Sequence, residues 1–129
     1  MRLTVTNYLF GTLMGLAALT QAAQAWTCRN EDMEISCNKG KCEKADSYTP
    51  MSVSLDERGK VSACAYSGCW EGRAQVLRKD GGFLYAAGRY RFSTSQSRER
   101  TKVAIAIDRE AGVGFVLVSS FAHPMTCTR

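Results

Sequence analysis

The sequence predicts an all-β domain that is held together by three disulfides. Beyond residue 25, apolar and polar residues alternate with a period of two in several runs, which is typical of β-strands with one buried face. Turn sequences that contain glycine separate these runs, and none of the apolar runs has the length or the period of a helix. The chain also contains six cysteines, an even number that allows complete pairing.

Residues 1–25 have the features of a cleaved secretory signal peptide. Arg2 precedes an apolar stretch from Tyr8 to Leu19, and Ala23-Gln24-Ala25 is a small-x-small cleavage signature. The stretch is about a dozen residues long, whereas a membrane-spanning helix needs roughly twenty. We therefore expect a mature domain of residues 26–129, periplasmic or secreted, with no transmembrane segment after signal removal. An exported chain meets an oxidising compartment, in which its cysteines are expected to pair.

The mature chain is mildly basic and long enough for one domain. Of 17 basic residues only Arg2 lies in the leader, so 16 basic residues stand against 12 acidic ones, a net charge of +4. This charge favours acidic partners weakly, and together with export it argues against nucleic acid as a partner. A core of this size is thin, so disulfides are its expected supplement.

Three pairs of alternating runs account for most of the predicted strands. They are 51–55 with 61–66, 70–77 with 83–92, and 103–107 with 113–121, joined by turns at 56–59, 79–82 and 108–112. Asp80-Gly81 is a strong hairpin signal because both residues tolerate positive φ. Two shorter strands are expected within 26–35 and 42–45. The result is an antiparallel meander of about eight strands.

Such a meander has two exposed edges, and closure into a small barrel removes them. We therefore predict a small closed barrel, with a two-sheet sandwich as the alternative. One irregularity lies within residues 83–92: Phe83 and Tyr85 have one parity, whereas Tyr90 and Phe92 have the other. Because a shift of one residue swaps the two faces of a strand, a bulge or bend is predicted at Gly88.

Two of the cysteine spacings are identical. Each pair brackets four residues with a glycine near the end, so each can close a tight turn with its Cα atoms about 5–6 Å apart. Local pairing leaves the first and last cysteines to join the two ends of the domain. Fifteen connectivities exist for six cysteines. We favour Cys28–Cys127, Cys37–Cys42 and Cys64–Cys69.

No group of residues indicates an enzyme or a metal site. His123 is the only histidine, lies beside Pro124 and has no GxSxG serine to serve. We interpret Glu31, Asp32 and Glu34 as a solvated strand face rather than as the acid pair of a glycosidase. Paired cysteines offer no thiolate nucleophile, and the C-x2-C spacing of zinc sites is absent. We predict a protein without catalytic residues, metal or cofactor.

The turn closed by Cys64–Cys69 is the first candidate for binding a partner. A turn pinned by a disulfide loses little entropy on docking, and exposed aromatic side chains supply contact area. The candidate partner-binding residues are Tyr66, Ser67, Gly68 and Trp70. The alternative that Trp70 faces the core, with residues of the same parity, stays open.

Segment 89–102 is the second candidate, as an anion-binding site. Guanidinium groups suit bidentate contact with phosphate or carboxylate, so the partner would be an acidic glycan or lipid of the envelope. The basic residues are Arg89, Arg91, Arg98, Arg100 and Lys102, with Glu99 as the one acidic residue among them. The alternative is a solvated loop without a ligand.

The Ser67-Gly68 pair resembles part of the Ser-Gly-x-x-Tyr element of the periplasmic and membrane-bound inhibitors of c-type lysozyme in Gram-negative envelopes. In this chain Glu71 stands at the fifth position, and the aromatic residue, Trp70, comes one position earlier. The resemblance also includes the leader, the size and the predicted barrel. It implies a binding module that inserts the Cys64–Cys69 turn into the lysozyme cleft. A structural envelope protein without a ligand is the remaining hypothesis.

Overall fold

A computed structural model describes residues 24–129, so the predicted signal peptide lies outside the described residues except for its last two. The described chain contains no helix. It forms one antiparallel sheet that curves into a half-barrel. The strands are β1 (Ala25–Asn30), β2 (Ile35–Asn38), β3 (Lys41–Lys44), β4 (Met51–Asp56), β5 (Lys60–Ala65), β6 (Gly68–Arg73), β7 (Val76–Asp80), β8 (Phe83–Tyr90), β9 (Thr101–Asp108), β10 (Val113–Val118) and β11 (Phe121–Thr128).

The first strand occupies the centre of the sheet. The strand order is β6-β5-β4-β1-β11-β10-β9-β8-β7, and the β2–β3 hairpin is attached to β11. Thus β4 to β6 form one meander and β7 to β11 form another. The two meanders meet at β1, which pairs with β4 on one side and with β11 on the other.

The all-β prediction is confirmed, but the structure has eleven strands where the sequence predicts about eight. The predicted strand within 26–35 divides into β1 and β2, and the run 70–77 divides into β6 and β7. The third additional strand is β11, which is paired with both β1 and β10. It contains Pro124, which lacks a backbone donor and normally argues against a strand with two partners.

Closure of the barrel is not confirmed, because the hydrogen-bonded path has two ends, β6 and β7. These two strands follow each other directly in the chain, separated only by Ala74 and Gln75. An isolated bridge between Trp70 and Phe92 joins β6 to the residues that follow β8.

The predicted bulge at Gly88 is wrong, because the ladder between β8 and β9 runs without interruption along the whole strand. Phe83 and Tyr85 have the outward parity and are exposed, whereas Tyr90 is buried. The change of parity in the sequence therefore reflects apolar residues on both faces. Glycine is required at position 88 because a Cβ atom there would collide with the phenol ring of Tyr90.

The core lies along the concave face of the sheet, where alternate residues of each long strand are buried. In β4 every second residue is buried, as the alternation over residues 51–55 predicts. Each fully buried aliphatic side chain stabilises the fold by about 1.5–3 kcal/mol relative to exposure. The largest of these side chains are Leu55, Leu84, Ile105, Ile107, Val53, Val61, Val103 and Val116.

Three disulfides form, as predicted, and each joins two residues that face each other across neighbouring strands. They are Cys28–Cys127 between β1 and β11, Cys37–Cys42 between β2 and β3, and Cys64–Cys69 between β5 and β6. The first is buried in the core, whereas the other two lie on hairpins near the surface. The buried bridge spans a sequence separation of 99 residues, against 5 for each of the others.

We predict that the Cys28–Cys127 bridge dominates the stability of the fold. By chain entropy, closing a loop of about 100 residues stabilises by nearly 5 kcal/mol, whereas a six-residue loop gives about 2 kcal/mol. The double variant Cys28→Ala/Cys127→Ala should therefore lose at least twice as much free energy of unfolding as the matched variant Cys37→Ala/Cys42→Ala. Urea denaturation of the two proteins makes the measurement. Equal losses would contradict the prediction.

Candidate functional site

The Cys64–Cys69 turn joins β5 to β6 and presents an exposed tyrosine. The last pair of the β5–β6 ladder is Ala65 with Gly68, so Tyr66 and Ser67 form the tip of the turn. The Tyr66 side chain is 82% exposed. Its φ of 53° lies in the left-handed region, which is uncommon for a bulky residue. The turn therefore holds an aromatic side chain in solvent at a backbone position that would suit glycine better.

The four predicted partner-binding residues divide into two groups. Tyr66 and Ser67 are exposed, whereas Gly68 is buried beneath the ring of Phe92, with which a Cβ atom would collide. Trp70 is half-buried, packs against the core and has its ring centroid 4.6 Å from that of Phe92. Gly68 and Trp70 therefore support the turn from below, and Tyr66 is its exposed aromatic residue.

Segment 89–102 contacts the turn directly. The backbone N–H of Ser93 donates to the carbonyl of Cys69 at 2.8 Å, and the N–H of Cys69 donates to Oγ of Ser93 at 2.9 Å. Together with the Trp70–Phe92 bridge, these bonds tie the base of the turn to the chain that follows β8. The structure thus brings the two candidate segments together at one end of the sheet.

A groove of about 410 Å³ lies beside the turn. Its lining includes two tyrosines, a proline, the disulfide and a pair of opposite charges: Tyr48, Tyr66, Pro50, Cys64, Arg29 and Glu31. We call this set the tyrosine groove. Aromatic and arginine side chains are the residue types that contribute most to binding energy at protein interfaces. The surface therefore has the composition of a protein-binding site.

The sequence predicts the tip of this surface, Tyr66 and Ser67, but not the other residues of the tyrosine groove. Arg29 lies in β1, and Tyr48 lies in the connection before β4, so neither is close to Tyr66 in the sequence. The ladders place Arg29 opposite Ser52 and Ser52 opposite Cys64. Only the pairing of β1 with β4 assembles the groove, and local patterns carry no signal for that pairing.

The five basic residues of segment 89–102 are exposed. Arg89 in β8 faces Lys102 in β9 across the ladder, and the other three, Arg91, Arg98 and Arg100, lie in the connection between these strands. Among residues 24–129, none of the five forms an ion pair with a carboxylate. Their charges are therefore available to an anion from outside.

A buried polar cluster lies at the same end of the sheet. His123 Nδ1 is 3.1 Å from Asn30 Nδ2 and 3.5 Å from Glu34 Oε2. The Asn30 amide also donates to the carbonyl of Met33, and Glu34 Oε2 accepts the N–H of Thr49 at 3.0 Å. The interpretation of Glu34 as a solvated residue is wrong. Its side chain is buried, and its carboxylate contacts both Thr49 in the loop before β4 and His123 in β11.

The geometry of this cluster favours the neutral form of His123. The Asn30 amide uses one hydrogen for Met33 and the other for the imidazole, so Nδ1 acts as an acceptor and the ring proton lies on Nε2. Burial lowers the pKa of His123, and the nearby Glu34 carboxylate raises it by a smaller amount. We interpret the cluster as structural, since all three polar side chains are buried.

No family model, curated protein or solved structure matches this chain. Within the part of the chain that the structure describes, no helix is long and apolar enough to cross a membrane. Three disulfides are consistent with an extracellular, oxidising location.

We predict that His123 makes the fold sensitive to mild acid. Its folded pKa is lowered, so between the folded and unfolded pKa values the unfolded chain binds a proton that the folded protein excludes. The free energy of unfolding should therefore be complete above about pH 6.5 and fall as the pH drops below it. Since His123 is the only histidine, His123→Gln should flatten the profile between about pH 5 and 7. Urea titrations at several pH values test this, and a profile that rises on acidification would contradict it.

Proposed function

We propose that the protein is a non-enzymatic, exported binding module of the bacterial envelope, and that the Cys64–Cys69 turn and the tyrosine groove bind a protein partner. One observation carries the proposal: Tyr66 is 82% exposed and has a φ of 53°. A left-handed conformation costs a residue with a side chain about 1–2 kcal/mol relative to glycine. Lys39 and Ser119 have a similar φ at the same position of two other two-residue turns, so the hairpin enforces this conformation and thereby fixes the direction in which the Tyr66 side chain leaves the backbone.

The support around Tyr66 favours binding with little loss of entropy. The disulfide closes the base of the turn, and Ser93 holds Cys69 through two hydrogen bonds. The Trp70 and Phe92 rings pack beneath it. A partner would therefore meet a tyrosine whose backbone is already fixed, and preorganisation of this kind increases affinity by reducing the cost of ordering.

A c-type lysozyme is the partner that the resemblance of the Ser67-Gly68 pair implies. In this proposal Ser67 and Tyr66 at the tip enter the enzyme's cleft. Tyr66 takes the aromatic role because Trp70 packs against Phe92. The basic charge of the domain gives no steering toward a basic enzyme, so affinity would depend on short-range contact.

We predict that Tyr66→Ala weakens inhibition of lysozyme by at least about thirty-fold, the effect of losing a hot-spot side chain worth about 2 kcal/mol. Tyr66→Gly should weaken it equally while keeping or raising the free energy of unfolding, because glycine relieves the strained φ. Inhibition assays and urea denaturation on the same proteins make the two measurements. The matched control is Trp70→Ala, which should chiefly lower stability, by about 3 kcal/mol.

Absence of inhibition by the unaltered domain at micromolar concentration would reject lysozyme as the partner. The binding module itself is tested by comparing proteins retained from envelope and host extracts by the unaltered domain and by Tyr66→Gly. If no protein distinguishes the two, the turn is not a binding site.

The basic segment supports a second function, the binding of an acidic glycan or lipid of the envelope. The observation that favours it is that all five basic side chains are exposed and lack ion-pair partners within residues 24–129. Binding of this kind weakens steeply as salt rises, whereas contact through Tyr66 should not. Arg98→Gln/Arg100→Gln should reduce it and leave binding through the turn unchanged.

We propose further that the scaffold behaves as a closed barrel. The two ends of the strand path, β6 and β7, are consecutive in the chain. The two residues between them donate backbone hydrogen bonds to opposite sides, one toward β5 and one toward β8. Ala74 N–H donates to Gly59 at 2.7 Å, and Gln75 N–H donates to Ala87 at 2.9 Å. The single strand formed by β6 and β7 would then complete the ring between β5 and β8.

Closure predicts slow hydrogen exchange at the junction. The amides of Gln75 and Ser93 should be protected nearly as strongly as those of the core strands, because both lie in the bonds that would close the ring. The amide of Ser97 in the exposed connection is the control and should exchange rapidly. Exchange measured by NMR decides the matter, and equally rapid exchange at all three residues would indicate an open half-barrel.

A further inference from the structure

The outer face of β7 to β10 carries apolar side chains that the core does not use. Six of them are between 37% and 57% exposed: Leu117, Tyr85, Val76, Phe115, Val113 and Phe83. Isolated exposed apolar residues need no explanation, but a contiguous patch of this kind marks a binding surface. Strand β10 has apolar residues on both faces: Val116 and Val118 are buried, whereas Val113, Phe115 and Leu117 are exposed.

The ladders arrange part of this face as a groove. One row across the four strands consists of Leu117, Ala104, Ala87 and Val76, in the order β10, β9, β8, β7. The two small alanines form the floor, and the larger residues on either side form the walls. Tyr85 lies one row away on β8 and closes one end. The groove has a volume of about 360 Å³, within the range of small-molecule sites.

The other end of the groove is cationic. Arg89 and Lys102 lie one row beyond the alanine floor, opposite each other in the β8–β9 ladder, and both line the groove. Neither forms an ion pair within residues 24–129. The polar side chains of Gln75 and Ser119 complete this end. The site is thus apolar along its floor and walls and positively charged at one end.

We propose that this groove binds a compact amphipathic organic anion. An aromatic ring or short alkyl chain would lie on Ala87 and Ala104, and a carboxylate, phosphate or sulfonate would contact Arg89 and Lys102. Alternate residues of a strand are about 7 Å apart, so roughly 14 Å separates the Tyr85 row from the Arg89 row. That distance fits a ligand with a head group and one ring system or about eight carbons.

The arrangement of charges on this face favours a single bound molecule with one anionic group. Asp80 and Asp108 lie in the same row as Phe83, beyond the Tyr85 end of the groove. Between these carboxylates and the alanine floor, Arg78 lies opposite Tyr85 as a single cation, so Arg89 and Lys102 are the only two adjacent cations on the outer faces of β7 to β10. Two paired cations at one end of a short apolar floor therefore favour an amphipathic ligand whose anionic group lies at that end.

The inference goes beyond both proposed functions. It shares Arg89 and Lys102 with the basic segment, but it needs the apolar floor and does not need Arg98 or Arg100. It uses none of the residues of the tyrosine groove. Failure of this site and failure of either proposed function are therefore distinguishable.

The test uses two fluorescent probes with similar aromatic bodies. Anilinonaphthalene sulfonate carries an anionic group, and N-phenylnaphthylamine is its uncharged counterpart. The unaltered domain should bind the sulfonate with one-to-one stoichiometry and at least about fivefold more tightly than the uncharged probe, because two cations contact the head group. Decyl phosphate below its micelle concentration should displace the sulfonate.

Two variants and a matched control locate the site. Arg89→Gln/Lys102→Gln should weaken binding of the sulfonate about tenfold and leave the uncharged probe unchanged. Ala104→Leu should weaken both probes, because it fills the floor from the solvent side. The matched control Lys41→Gln/Lys44→Gln removes two exposed cations of β3 and should have no effect on either probe. Circular dichroism and thermal unfolding confirm that each variant is folded.

Three results would overturn the proposal. The first is equal binding of the two probes, which would make the patch merely apolar. The second is binding to phosphatidylglycerol vesicles with no binding of monomeric decyl phosphate, which would indicate a membrane surface. The third is a dimer in light scattering that excludes the probe and is broken by Ala104→Glu, which would make the face a contact between two copies.

Discussion

The pairing of β1 on both sides is the constraint on which the rest of the structure depends. The two meanders are β4 to β6 and β7 to β11, and β1 is the strand that pairs with both of them. The buried Cys28–Cys127 bridge fixes that junction across 99 residues of sequence. Contacts so distant in sequence carry the largest loop-closure cost, so a covalent link there restricts the unfolded chain more than one anywhere else.

The geometry of the candidate binding surface depends on this junction. Arg29 of β1 reaches the tyrosine groove only because β1 lies beside β4, and β4 in turn positions β5 and Tyr66. On the other side, the buried contact between Asn30 and His123 spans the β1–β11 ladder. The polar cluster thus lies at the end of the β1–β11 junction, beside the tyrosine groove. The stability of the fold and the geometry of the candidate binding surface therefore depend on the same long-range pairings.

Sequence patterns predict the local hairpins of this fold but few of its long-range strand pairings. The alternation over residues 51–55 and the Asp80-Gly81 turn predict hairpins because period and turn chemistry are local properties. Strand β11 was not predicted because it contains Pro124. The partners of His123 were not predicted because they lie on other elements, remote in sequence. For the candidate site, Tyr66 and Ser67 were identified by the disulfide-pinned turn. The supporting role of Trp70 depends on Phe92, which is remote in sequence.

The wrong prediction of a bulge at Gly88 shows why an apolar pattern alone cannot assign residues to the two faces of a strand. A strand with aromatic residues at both parities fits either a bulge or two apolar faces, and periodicity does not distinguish them. Packing decides: Tyr90 fills the space left by Gly88 on the inside, so the register continues and Tyr85 must point outward. With this register, the apolar side chains of Phe83 and Tyr85 lie on the outer face of β8 and are exposed. The outward position of Tyr85 thus follows from the register, and it places the ring beside Ala87 on the face that also carries Arg89 and Lys102.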